Sequence, residues 1–484
     1  VNLLADSPLL LILLPLLGGL LTVVLPGGQA RTGLLLTLGN LLLSLHALTA
    51  LQDRGVWTHS VGAWGAPLGI DLALDGFSVL MLLMLAVVAL AISAYSAIYF
   101  SRAAARHFWP LWLLLIASMN ALFLSRDLFN LYVTLELVGI AAVSLTALRG
   151  QREALAAAMR YLLATLLGSM LYLLGVALVY HGAGSVDMAS VGAADMPQPV
   201  AVAAFAAMTV GLLLKTALFP FHFWLPAAHS SAPAPVSAIL SALVVKAGFY
   251  IFLRLWFEVF PALAEGVFAT LLGTLGAAAI LWGSLQAIVQ ERAKLLIAYS
   301  TVAQLGYFFL ALPLFAASVA LAQTGAVLLV MSHALAKAAL FMAAGNLMAF
   351  AGHDRIRDLD RVVQRMPLTA AAMALGGVSL MGLPPSGGFN GKWLLLQSAL
   401  QQEQWWIAGV LLLGGLLAAV YIFKLLEHSF TAGAPSGEPR AVAAGLEWVP
   451  LLLALAAVLL GFFGTGIVDL LTVGAPLAVG EGAG

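Results

Sequence analysis

Four ionisable residues stand where nearly everything around them is apolar: Glu136 in LFNLYVTLELVGI, Lys215 in LLLKTALFPFHFWLP, Lys246 in SALVVKAGFY and Lys392 in GFNGKWLLL. A charge at the centre of a hydrocarbon layer costs about 2.5–3.5 kcal/mol on insertion scales, so such residues persist where they do chemistry or hold one another. The chemistry open to them is proton exchange. Desolvation favours the neutral form of a lysine or a carboxyl group, and a nearby opposite charge reverses that preference. A Glu136–Lys215 pair that opens and closes would therefore switch the proton affinity of its neighbours. Static ion pairs are the bland alternative, but lysines outnumber the carboxylates available in these stretches. His333 and Lys337, four apart in SHALAKAALF, share one helix face. They read either as a relay, since imidazole titrates near neutral pH, or as a hydrogen-bonded core histidine with a lysine neighbour. His222 and His229 flank Pro226 and complete the candidate proton path. The break between them, and the lack of a second histidine pair at matching depth, argue against haem.

The elements that must position these groups are membrane helices. Hydrophobic residues make up 63% of the 484 positions and charged residues 9%, against roughly a quarter charged in a soluble domain. The net charge of zero gives no reason to expect nucleic acid as a partner, and the absence of cysteine excludes disulfides, iron–sulfur clusters and thiolate metal sites in this chain. There is no HExxH, phosphate-cradling glycine loop or GxSxG, so no cofactor or metal is expected. Against a ruler of about 20 apolar residues per crossing, the chain divides into about 14 spans. They lie near 8–25, 33–51, 76–100, 108–124, 128–148, 157–180, 200–224, 234–257, 266–288, 294–314, 319–350, 368–400, 405–428 and 447–468. The first follows Asp6 with no basic residue ahead of it, which reads as a retained helix and not a signal peptide. Spans eleven and twelve are too long for one straight crossing and call for breaks or extensions. Glu136 then lies roughly 13 Å deep, and Lys246, past Pro235, roughly 16 Å deep in a core about 30 Å thick.

Arginines and lysines cluster after odd-numbered spans, at Arg31, Arg102 and Arg106, Arg149 and Arg152, Arg292 and Lys294, and Arg355, Arg357, Arg361 and Arg365. Loops after even-numbered spans are neutral or acidic, with Asp71, Asp75, Asp187, Asp195, Glu258 and Glu265. The exceptions, Arg54 and Arg126, each have an adjacent aspartate. The positive-inside rule places the basic loops in the cytoplasm and both termini on the other side of an inner or plasma membrane. Arg254, Lys294 and Arg160 lie near span ends, where snorkelling to the interface is the ordinary explanation; Lys424 stays open. Prolines interrupt two spans alike: Pro220 and Pro226 in span seven, Pro384 and Pro385 in span twelve. Each frees backbone carbonyls that must be satisfied by protein or water. Breaks five spans apart point to an inverted repeat with its site at the breaks. This divides the chain into N-terminal helices 1–107, a first repeat 108–258, a second repeat 259–430 and a final helix within 431–484.

With those residues in view, the chain resembles the antiporter-like subunits shared by Mrp-type multisubunit cation/proton antiporters, respiratory complex I and membrane-bound hydrogenases. The resemblance covers nearly the whole chain. It is carried by LFNLYVTLELVGI, KTALFPFHFWLPAAHSSAPAPVSAILSALVVKAGFY, ERAKLLIAYSTVAQLGY, SHALAKAALFMAAG and GLPPSGGFNGKWLL. It implies an all-α integral membrane fold of about 14 helices, with two inverted five-helix repeats that each contain a broken helix. It also implies that Glu136 pairs with Lys215 and that Lys246 passes protons toward Lys392, with His333 and Lys337 between the halves. A lysine at 392 suits the D-type antiporter subunit and the N- and L-type subunits of complex I, whereas the M-type carries glutamate. The short stretch after span fourteen lacks the lateral helix of the L-type, and the length and GFNGKW form are most similar to the D-type. The expected partners are other membrane subunits, lipid, protons and Na⁺ or K⁺. An intramembrane enzyme would need a nucleophile or metal constellation near the breaks, and none is found. A purely structural scaffold would tolerate neutral residues at all four central charges.

Overall fold

The computed structural model describes residues 7–24, 27–67, 69–264, 266–315, 319–359, 362–430 and 441–474. Asp6, Glu265, Arg361 and the terminal stretch 475–484, on which the sequence reading drew in part, lie outside the described residues.

Each apolar run coincides with helix. In chain order these are α1 (Ser7–Val24), α2 (Gln29–Arg54), α3 (Gly76–Tyr99), α4 (Arg102–Leu124), α5 (Leu128–Thr146), α6 (Arg152–Ala183), α7 (Gln198–Thr216), α8 (Leu225–Ser231) and α9 (Ala234–Val259). Then follow α10 (Val267–Val289), α11 (Ala293–Leu310), α12 (Val319–Ala351), α13 (Pro367–Met381), α14 (Gly387–Gln401), α15 (Trp405–Glu427) and α16 (Ala444–Leu459). Among the described residues, 12 helices are long and apolar enough to cross a membrane; α1 and α13 are shorter apolar helices. The protein is a multi-pass, mainly helical membrane protein. Polar caps start several helices: Asp75 and Ser78 form a reciprocal capping box on α3, and Asp127 accepts from Asn130 N–H at the head of α5.

Of the two remedies expected for span eleven, extension is found: α12 runs 33 residues without interruption, about 50 Å. Two departures from the sequence reading follow. The loop between α2 and α3 forms an antiparallel hairpin, β1 (Trp57–Ser60) with β2 (Asp71–Leu74), Trp57 facing Leu74 and Ser60 facing Asp71. Four-residue strands leave too little alternation to be read beside apolar runs of helical length. In α9, π-turns occupy Leu240–Val244 and Leu255–Val259, and no residue type announces them.

Loops on alternate sides meet their own kind. Leu72 bridges Ser125 and Asp127 bridges Asp187, joining loops after spans two, four and six, while Arg292 bridges Arg355 across loops after spans nine and eleven. The two helices most fully enclosed by others are α9 and α12, while α2, α15 and α16 show most of their surface outward.

At one end of α9 a buried ionic cluster ties the first-half helices together. Arg254, 2% exposed, meets both oxygens of Asp75 at 2.8 Å and donates to Glu258 at 2.6 Å and to the Tyr250 hydroxyl. Arg126 joins through Glu258 and, at 3.7 Å, Asp75. Arg254 therefore does not snorkel, and the partners of Arg126 lie far along the chain and not at the neighbouring Asp127. Burial alone would raise the Asp75 carboxyl, but the charge and hydrogen bond of Arg254, then Arg126 and Ser78 N–H, hold it below the ordinary 3.8. Arg254→Met would leave two buried carboxylates with only Arg126, and we expect a loss of about 3–5 kcal/mol, read as a lower melting temperature of the purified protein. Because Asp75 is depressed in the folded state, its contribution is full above the unfolded value of about 3.9 and is lost as pH falls through the folded one. The melting temperature should fall below about pH 4, and Asp75→Asn should remove that part of the acid sensitivity.

Candidate functional site

The first candidate pair forms. Lys215, in the last turn of α7 and 7% exposed, donates to Glu136 Oε1 of α5 at 2.8 Å. Ser169 of α6 donates to the same oxygen. Small residues make this approach possible. A Cβ on Gly168 would stand 2.7 Å from the Gly211 carbonyl, and one on Gly211 would stand 2.3 Å from that of Gly168, so α6 and α7 touch backbone to backbone.

The break after Lys215 is closed from within. Ala217, at φ 57°, ends α7, and Trp224 Nε1 donates back to the Leu214 carbonyl at 2.9 Å while its ring stacks on Tyr161. The second break is closed by the candidate lysine itself. Lys392 of α14 reaches back to the Leu380 and Met381 carbonyls of α13 at 2.8 and 3.2 Å, and its ammonium lies 4.5 Å from the centre of the Tyr307 ring. Gly382 lies at φ +80°, and a Cβ there would fall 2.7 Å from the Lys392 stem. Gln304 donates to the same Leu380 carbonyl and to the Tyr421 hydroxyl.

Between the breaks lie two more lysines with no solvent exposure, Lys246 and Lys337. Lys246 donates to the Ser241 carbonyl, within the first π-turn of α9. Lys337 donates to the Ile297 carbonyl at 2.9 Å and to the Ser300 hydroxyl. His229 and His333 are buried, and neither ring has a hydrogen-bond partner among the described residues. His229 stacks on Phe341 and His333 meets Phe308 edge-on. His333 feels the charges of Lys246, Lys337, Lys392 and His229, and His229 those of Lys246, Lys337 and Lys294. Lys246, His333 and Lys337 lie on α9 and α12, Lys215 (with its partner Glu136) and Lys392 lie beside the two breaks, and His229 of α8 packs on α12. His222 lies within the first break, stacked on Phe219, which packs against Trp282.

Residues 125–418 match the sequence pattern of a family described as NADH:quinone oxidoreductase/Mrp antiporter, TM. The chain belongs to that family. It is 38% identical, over 82% of its length and 80% of the relative's, to the N-type NADH-quinone oxidoreductase subunit of Desulforudis audaxviator. To the D-type Na⁺/H⁺ antiporter subunit of Alkalihalophilus pseudofirmus it is 30% identical, over 81% and 80%. Its fold overlays a chain of the Mrp complex from Dietzia sp. with a TM-score of 0.89 at 25% identity, covering 99% and 100%.

Sequence reasoning passed over several polar groups of this interior. Lys294, set aside as snorkelling, is buried and donates to the Ala232 carbonyl at 2.6 Å. Hydroxyl pairs line the same interior, Ser241 with Thr301 at 2.8 Å and Ser332 with Ser379 at 2.6 Å. Serine and threonine in apolar helices ordinarily bond their own backbone, so nothing marks these in sequence. Lys424, left open, donates to Ile288 at the end of α10 and reads as a cap, while Arg160 is exposed. Among the described residues no group of three or more His, Asp or Glu is placed to hold a metal ion.

The close contact of α6 with α7 generates a test. Gly211→Val should overpack this seam and cost about 1–3 kcal/mol, seen in the melting temperature. Gly409→Val, where an added Cβ meets nothing within 4 Å, should stay within about 0.5 kcal/mol.

Proposed function

We propose that this chain conducts protons as an antiporter-like subunit of an Mrp D-type cation/proton antiporter, through buried lysines, a glutamate, histidines and water. One observation carries the reading. Lys246, Lys294, Lys337 and Lys392 hold backbone carbonyls, and among the described residues Lys215 is the lysine that holds a carboxylate. An ammonium against a carboxylate is pinned in its charged form. A neutral amine keeps two N–H donors and can hold the same carbonyl, so these lysines change charge without losing their anchor. In this scheme Glu136 and Lys215 form the switch, Lys246 and Lys337 with His229 and His333 the middle, and Lys392 the far end, with His222 within the first break.

The wider architecture belongs to the same proposal: 14 crossings, inverted repeats at 108–258 and 259–430 flanked by 1–107 and 431–484, and both termini on the non-cytoplasmic side of the inner membrane. Three correspondences support it. The two breaks lie five spans apart, and each is closed by a side chain from beyond the break donating back to carbonyls of the first half-helix. Gly168 against Gly211 is matched five spans on by Gly325 against Gly391. Loops of like parity adjoin one another.

A second reading is a proton-pumping subunit of a quinone-reducing or hydrogenase-type complex, favoured by the 38% identity to an N-type subunit. The co-purifying chains discriminate: redox subunits support the second reading, and small hydrophobic subunits alone support the first. For proton conduction itself, the complex in vesicles should lose flux on the order of a hundredfold with Lys246→Ala, compared at equal amounts of folded complex. Wild-type flux in that variant would sink the path, and wild-type flux in Lys215→Ala would sink the switch.

A further inference from the structure

We infer that a basic cavity beside the first break binds the anionic headgroup of a membrane phospholipid. The cavity, about 540 Å³, is lined by Arg149, Arg160 and Arg292, with Glu153 as the one carboxylate in its wall and Ser230 and Ser231 nearby. That size lies within the range of about 300–1,000 Å³ usual for ligand sites.

The arginines are under-used. Arg160 makes no ion pair among the described residues, Arg149 makes a 3.4 Å contact with the Tyr99 hydroxyl, and Arg292 engages Asp354 through Nε. Planar guanidinium groups with free N–H pairs match phosphate oxygens two at a time. The cavity also includes the start of α6, where Gln151 supplies no side-chain cap to the first-turn N–H groups.

What selects a lipid over a free anion is the surface that continues from the cavity. Leu155, Met159 and Leu163 follow at successive turns of α6, exposed by 51, 55 and 59%, and Arg160 sits among them. A phosphate among the arginines would place its acyl chains along that stripe. The site touches the interior at one point: the Ser230 carbonyl on its wall also accepts from Lys294 at 3.4 Å. None of this depends on the chain conducting protons.

The test is native mass spectrometry of the delipidated full chain in detergent, titrated with phosphatidylglycerol or with phosphatidylcholine of the same acyl chains. Phosphatidylglycerol should bind in preference, Arg149→Gln with Arg160→Gln should weaken it about tenfold or more, the loss of a charge-assisted contact, and Glu153→Gln should tighten it. Equal binding of both lipids, or phosphatidylglycerol binding that neither variant set alters, overturns the site. Inorganic phosphate displacing phosphatidylglycerol at equal concentration overturns the lipid assignment. Glu153→Gln keeps the test decisive should the double arginine variant not fold.

Discussion

Inside a bilayer a backbone carbonyl without a donor costs several kcal/mol, and no water is at hand to supply one. Straight helices meet this demand by themselves; broken and π-bulged ones do not. This chain breaks two helices and bulges a third, and side chains then become structural donors: Trp224 at the first break, Lys392 at the second and Lys246 at the π-turn. At the second break and the π-turn the irregular backbone and a buried lysine therefore serve each other, each helping to offset the desolvation that either would suffer alone.

That coupling also determines what a buried lysine is free to do. Removing one partner of a buried salt bridge costs about 3–5 kcal/mol, because the other charge is left uncompensated. The Asp75–Arg254–Glu258 cluster at the end of α9 shows such fixed charge: both Asp75 oxygens engaged by Arg254, these two almost without exposure, and two cations shared among two carboxylates. The interior of α9 and α12 shows the opposite arrangement, lysines with dipolar partners only and histidines with no hydrogen bond to lose. One end of α9 is clamped by charge, while Lys246 in its middle holds a carbonyl.

How much of this was legible follows from the same physics. Glu136, Lys215, Lys246 and Lys392 stood out because a charge within an apolar run is costly wherever it points, and the structure buries the three lysines and half-buries Glu136. The reading failed where orientation decides. Arg254 and Lys294 near span ends looked able to reach water, but hydropathy reports depth along a helix and not which way a side chain turns; both turn inward. The π-turns of α9 have no sequence marker, so the role of Ser241 as acceptor for Lys246 could not be anticipated. Nor could the Ser332–Ser379 contact, which exists only because α12 and α13 lie side by side.

The placement of the lysines on the two most enclosed helices has a further consequence. A lysine on a lipid-facing helix satisfies its ammonium by bending toward the headgroups, and its charge is then permanent. On α9 and α12 no such route exists, because the apolar stretch of each is covered by other helices. The ammonium must find its partners within the protein, and the partners offered are carbonyls and a hydroxyl from α9 and α11. Those helices are held at close range by glycine, as where a Cβ on Gly248 would stand 2.6 Å from the Thr216 hydroxyl beside Lys215. Close packing of helices on small residues here sets α9 against α7 at the residue next to Lys215.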